Sequence, residues 1–189
     1  MILAAVIGEE FPAVLAAAQE GSEAAFAVLW RDGHPVLLRY LRVTAPDGAE
    51  DIAAETWIQV VRGLPGFVGD EPAWRSWLFT IARRRTIDEG RRRSRHPVSS
   101  YAELPAAYEP RTDDAGAQAL ENLGTEAAIR AVSGLPALQA EVILLRVLAG
   151  LDTAAVARLV GRSPGAVRIA AHRGLRRLAQ ILAETGVTL

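Results

Sequence analysis

Arginine is the residue this chain has placed most densely for chemistry, and the chemistry it offers is the capture of phosphate. From Arg75 to Arg95 eight arginines face only Asp88 and Glu89, a local charge of +6. From Arg158 to Arg177 six arginines meet no acid, again +6. A guanidinium grips phosphate oxygens, or the edge of guanine, through paired N–H donors. The second row lies in VARLVGRSPGAVRIAAHRGLRRLAQ, Val156–Gln180. There Arg168 and His172 are candidates to read base edges, and Arg173, Arg176 and Arg177 to hold phosphates.

Other chemistries lack their parts. The chain has no Cys, which removes disulfides, thiolate metal sites and cysteine nucleophiles. Its three histidines, His34, His96 and His172, stand far apart with no HExxH pair, so no metal site and no cofactor are expected. Asp51 and Glu55 share a helix face, but no nucleophile or ligand partner accompanies them. The pair reads as an acidic docking edge for a basic protein surface, and no enzyme is expected.

The net charge of −1 conceals this segregation. Asp47–Glu71 and His96–Ala127 each carry −5, so two acidic blocks alternate with two basic ones. Half of the 189 residues are hydrophobic, enough for a folded core. No run of about 18 apolar residues exists, and Glu9 and Glu10 follow the first residues without a basic stretch. A cytoplasmic chain with no membrane insertion is expected.

The elements that carry these residues read as helices throughout. Phe11–Gln19 is helical, Gly21 breaks it, and Ser22 caps a segment holding Phe26, Leu29 and Trp30. Pro35–Val43 reads as a further short helix. A longer one runs from about Ala49 to Leu64, with Ala53, Trp57, Val60 and Leu64 on its apolar face and Asp51 and Glu55 nearly opposite. After a loop at Pro65–Gly69, Pro72 opens a helix on which Trp74, Trp77, Leu78, Ile81 and Ala82 recur at i, i+3, i+4, i+7 and i+8. Its arginine-rich end is interrupted by Gly90. Aromatic residues beside a basic row also suit single-stranded nucleic acid, whose bases stack.

Near the C-terminus, helices are expected over Ala127–Val132 and Ala137–Leu148, followed by a helix-turn-helix. Ala157 is small where two helices approach, Gly161 permits a left-handed turn, and Ser163 and Pro164 suit the N-cap and first helical position. Val167, Ala170, Ala171, Gly174, Leu175, Leu178 and Leu182 form the apolar stripe of the last helix. Arg168, Ile169, His172 and Arg173 fall on the other side, the arrangement of a helix that enters a major groove. Between the two helical parts, 97–125 holds Pro97, Pro105, Pro110, Gly116 and scattered acids, and reads as a flexible acidic linker. The expected architecture is all-α: a helical domain over 1–96, the linker over 97–125, and a smaller helix-turn-helix domain over 126–189.

Three collinear segments, AEDIAAETWIQVVRGLPGF (Ala49–Phe67), WRSWLFTIARRRTIDEGRRR (Trp74–Arg93) and LPALQAEVILLRVLAGLDTAAVARLVGRSPGAVRIAAHRGLRRL (Leu135–Leu178), resemble bacterial sigma factors of the extracytoplasmic-function type within the sigma-70 class. GSEAAFAVLW (Gly21–Trp30) adds to the likeness, which spans nearly the whole chain in the family's order. The resemblance implies a transcription initiation factor that binds core RNA polymerase, directs it to promoters and assists strand opening. It implies docking on the beta-prime clamp through Asp51, Glu55 and Trp57. Minus-ten recognition and melting would involve Phe67, Asp70, Trp74, Arg75, Arg83, Arg84, Arg85, Arg91 and Arg92. Minus-thirty-five recognition would involve Ser163, Arg168, His172, Arg173, Arg176 and Arg177, with the first helices of that domain on the beta flap. Many members are held by an anti-sigma factor, which the resemblance admits as a further partner.

Two positions depart from the family pattern. Ala54 stands where Gln is usual before the docking acid, and Arg84 stands where Asn is common. The competing reading is a stand-alone helix-turn-helix regulator that never meets polymerase. It accounts for Ser163–Arg177 but leaves the Asp51 helix and the Trp74–Arg95 segment without a role.

Overall fold

The computed structural model describes residues 7–95 and 128–184, and among them every regular element is helical. Four helices build the first domain: α1 Phe11–Gln19, α2 Glu23–Thr44, α3 Ala49–Gly63 and α4 Glu71–Arg95. The second contains α5 over the described residues 128–133, then α6 Ala137–Val147, α7 Thr153–Val160 and α8 Pro164–Glu184. The expected linker lies outside the described residues.

Apolar stripes at helical spacing determine which faces turn inward. Leu29, Leu37 and Leu41 of α2, Val60 of α3 and Trp74 and Leu78 of α4 are all within 1% of complete burial. Each such side chain contributes about 1.5–3 kcal/mol relative to exposure. Tyr40 meets Phe79 edge to face at 5.3 Å, and Phe26 meets Trp57 at 5.9 Å, geometries that suit the ring quadrupoles. Ser22 caps α2, its Oγ accepting the Ala25 amide, as the sequence predicts.

Two boundaries differ from the sequence reading. Helix α2 continues straight through Pro35 rather than dividing before it. Proline inside a helix costs about 3 kcal/mol through its lost amide and its ring. Here Leu29 lies before it and Val36, Leu37, Tyr40 and Leu41 after it on one buried stripe, so packing on both sides offsets that cost. Likewise α4 runs through Gly90 to Arg95, since a lone glycine costs only about 1 kcal/mol and leaves the hydrogen-bond ladder intact.

In the second domain Asp152 caps α7, its carboxylate accepting the Ala155 amide at 2.7 Å. Gly161 adopts φ 65°, ψ 42°, the left-handed conformation that ends α7. Ser163 then accepts the Ala166 amide, and α8 starts at Pro164. Val156 and Val167 are buried where α7 and α8 meet. Leu175, expected on the inner stripe, is 50% exposed. Gly174, its neighbour, takes the close approach to α6 instead, and a position 100° further round points away. Helix α6 also lies against α2, and α7 against α4, so the two domains touch.

Candidate nucleic-acid interface

The recognition surface of the second domain is set by which side of α8 remains free. Val167 and Ala170 are buried, while Arg168, Ile169, His172, Arg173, Arg176 and Arg177 are exposed. Ser163 spends its hydroxyl on the helix cap and stands at the edge of this face. An open groove of about 650 Å³ runs beside it, with Arg158, Arg162 and Ser163 on its walls. The α8 amides exposed at that end add a partial positive charge.

On the first domain the arginines of α4 divide into two sets. Arg84, Arg91 and Arg92 are exposed. Arg92 lies 3.5 Å from Glu89, an exposed pair of little energetic weight. Arg85 reaches Glu55 of α3 at 3.3 Å, so the expected DNA residue and the expected docking acid are partners in the free protein. Arg83 donates from Nε to Glu141 of α6 at 2.8 Å and is only 26% exposed. A groove of about 630 Å³ lies between α3 and α4, with Arg62, Trp77, Arg84 and Arg85 along it.

Arg75 has a different job from the one expected. Its guanidinium is buried and joins Glu71 at 2.9 Å and Asp32 at 3.1 Å. Glu71 in turn accepts the backbone amides of Ile7 and Gly8. Burial is the main influence that raises the Asp32 pKa above the ordinary carboxylate value, with Arg75 opposing it and Glu71 adding to it. Arg75 therefore ties α4 to α2 and to the chain preceding α1, and it does not face solvent. Trp74 is corrected in the same way: it is fully buried, packed edge to face on Phe67 at 5.7 Å. Its helical periodicity carried the signal, since it begins the apolar stripe.

Phe67 bridges the core and the surface. It stacks on Trp77 at 5.0 Å, and its carbonyl accepts Gln19 Nε2 at 2.7 Å. Gln19 also donates to the Leu64 carbonyl, so one side chain of α1 braces both ends of the Pro65–Gly66 turn. Asp70 ends the loop as the cap of α4, accepting the Ala73 amide. Val68, between the two fixed ends, is 93% exposed.

The acidic edge of α3 is exposed at Asp51, Ala54 and Glu55. Trp57, expected within it, is 7% exposed and donates from Nε1 to His34 Nδ1, so it belongs to the core. Ile58 and Val61, each about half exposed, take its place on the outer face. A helical wheel brings them beside Ala54 and Glu55, off the Ala53, Trp57, Val60 and Leu64 stripe, a signal present in the sequence that the reading of the acidic pair alone passed over. Among the described residues no cluster of His, Cys, Asp and Glu could hold a metal ion.

Comparison with known proteins gives these surfaces a common meaning. Residues 29–96 match the family model for sigma-70 region 2, and residues 125–178 match sigma-70, region 4. The ECF RNA polymerase sigma factor ShbA of Streptomyces griseus is 34% identical over 176 residues, covering 88% of this chain and 92% of that protein. SigL of Mycobacterium tuberculosis, another ECF sigma factor, is 36% identical, covering 89% of this chain and 97% of its own. Among solved structures, CnrH in complex with the cytosolic domain of CnrY aligns with TM-score 0.61 at 21% identity, covering 93% of this chain and 99% of that one. The sigma factor RpoE of Bartonella quintana, bound to the anti-sigma factor NepR, aligns at 0.60 with 23% identity over 84% of this chain and 96% of its own. These two structures share the fold.

A region 2 followed by a region 4 defines a sigma-70-type initiation factor. The chain belongs to the extracytoplasmic-function RNA polymerase sigma factors. It binds core RNA polymerase and directs it to promoter DNA, and the stand-alone regulator is not favoured. No helix among the described residues is long and apolar enough to cross a membrane.

Proposed function

We propose that residues 1–96 dock on the polymerase and handle the minus-ten element, and that residues 126–189 read the minus-thirty-five element. The observation that carries this division is the presence of two exposed arginine rows, on α4 and α8, and of an acidic face on α3 that meets the first row only through the Arg85–Glu55 pair. Arg84, Arg91 and Arg92, with the Phe67–Asp70 loop, form the downstream surface. Arg168, His172, Arg173, Arg176 and Arg177 form the upstream one.

Docking rests on Asp51 and Glu55, with Ile58 and Val61 supplying apolar contact beside the acids. Such a patch, apolar at its centre and charged at its rim, suits a partner helix pair of basic character. A single helix-turn-helix binds DNA weakly, and two DNA-contact domains held on one large partner gain effective concentration. The chain needs no catalytic group of its own, because bond formation belongs to the polymerase. It works in the cytoplasm, and an anti-sigma factor is a fitting regulator, as the two complexes named above suggest.

Run-off transcription with purified core polymerase and mapped start sites tests the whole reading. The double substitution Asp51→Ala with Glu55→Ala is expected to reduce co-purification with core enzyme while leaving the helical circular dichroism unchanged. Undiminished co-purification would remove the docking assignment.

A further inference from the structure

The centre of the exposed face of α8 is not a cation but an isoleucine. Ile169 is 54% exposed. At 100° per residue it points about 160° away from Val167 and about 180° away from Leu178, both of which pack in the core. Packing of α8 therefore does not account for it. Round the helix, the exposed Arg168 and His172 lie to one side of it and Arg173 to the other. Leu175, also half exposed on this helix, lies about 120° round and nearly two turns further on, outside the patch.

The turn before it adds a second feature. Gly165 shares the face with Ile169, about 40° round the helix. A Cβ built there would meet only Ser163 Oγ, at an ordinary 3.9 Å. Glycine disfavours a helix, and here no neighbouring element demands it. Its missing side chain leaves a shallow notch beside Ile169. The surrounding charge says what fits there. From Arg158 to Arg177 six arginines meet no acid. Such a face matches a ligand with phosphates on both sides and an apolar group between them. The major groove of DNA has that arrangement, and the apolar group on its base edges is the C5-methyl of thymine.

We propose that Ile169 sets the specificity of one position in the minus-thirty-five element by packing on the C5-methyl of a thymine, and that Gly165 leaves the room that lets α8 seat deeply enough for this contact. The proposal rests on the assignment of residues 126–189 to that element made above. Ile169 has no donor or acceptor, so it selects a base through apolar contact alone. Its β-branch restricts χ1, so little freedom is lost when the contact forms. Burying one methyl group changes affinity about fourfold.

The test uses the full chain assembled with purified core polymerase. Duplexes carry a mapped promoter in which the upstream element is randomised, and the bound fraction is sequenced. The native assembly is expected to enrich thymine at one upstream position, and Ile169→Ala to lose that enrichment while keeping the preferences at other positions. Deoxyuridine is then placed at the enriched position. It removes the methyl and keeps every hydrogen-bonding group. The exchange should weaken binding about fourfold with the native chain and leave binding to Ile169→Ala unchanged, a double-mutant cycle between one side chain and one methyl. An equal deoxyuridine effect in both proteins would overturn the proposal. So would loss of the helical circular dichroism or of polymerase co-purification in Ile169→Ala, which would make the side chain structural or a protein contact. If the native assembly enriches upstream bases but none depends on Ile169, the methyl contact alone fails. If it enriches no upstream base at all, the assignment of residues 126–189 fails and the contact falls with it.

Discussion

Replacing Arg75 by Ala separates a structural arginine from a DNA-binding one. The side chains of Arg75, Asp32 and Glu71 are 11%, 6% and 10% exposed, so removing the cation leaves two nearly dry carboxylates facing each other. Breaking a buried pair by deleting one partner costs about 3–5 kcal/mol. That is about a fifth or more of the stability of an ordinary domain. For a unit of this size the melting temperature should fall by at least about 12 °C. Part of the deficit should return on acidification. The Asp32 pKa is already raised, and loss of Arg75 removes the influence that opposes the rise. A carboxyl with a raised folded pKa binds protons more strongly when folded, so stability increases as pH falls toward the unfolded value near 3.8. Urea unfolding at pH 7 and pH 5 measures both effects, and adding Asp32→Asn to Arg75→Ala should recover much of the loss. Native stability in Arg75→Ala, combined with a selective defect at the minus-ten element, would refute the assignment.

Further substitutions address the other surfaces. Arg168→Ala should weaken binding by about 1–3 kcal/mol at a single upstream base position if the contact is bidentate, which a set of singly substituted promoters would reveal; a uniform loss would mark a phosphate contact. Burial, aided by Arg42, lowers the His34 pKa below 6.5, and its Nδ1 accepts from Trp57. The neutral imidazole therefore favours the fold, and that contribution should be lost as pH falls from 6.5 through the folded pKa, at a slope no steeper than about 1.4 kcal/mol per pH unit. Comparing the pH dependence of unfolding with that of His34→Gln isolates it. At Gly174 a Cβ would lie 2.6 Å from Ile143 Cδ1, so Gly174→Val should destabilise the second domain by about 1–3 kcal/mol, measured by thermal unfolding of the full chain.

Much of this molecule was legible from local pattern. The caps at Ser22 and Ser163, the left-handed Gly161 and the stripes of α3 and α4 depend on residues within a few turns of one another, where helical periodicity constrains every side chain. Collinear family segments carried the function in the same way. Periodicity could not tell which proline a helix tolerates. At Pro35 the answer lay in Leu78 and Trp57, which pack near Gly33 from other helices.

The division is sharpest among the arginines. The sequence alone determined that the chain is helical, that its charge is segregated into two basic rows, and that one row lies on a helix-turn-helix. Tertiary structure alone decided which arginines remain available. Arg75 is enclosed by Asp32 and Glu71, Arg83 is held by a carboxylate 58 residues away, and Arg84 faces solvent. Residue type fixes a charge, and i, i+4 spacing offers Glu71 to Arg75, but Asp32 and Glu141 arrive by packing of distant segments, and no spacing along the chain encodes those meetings.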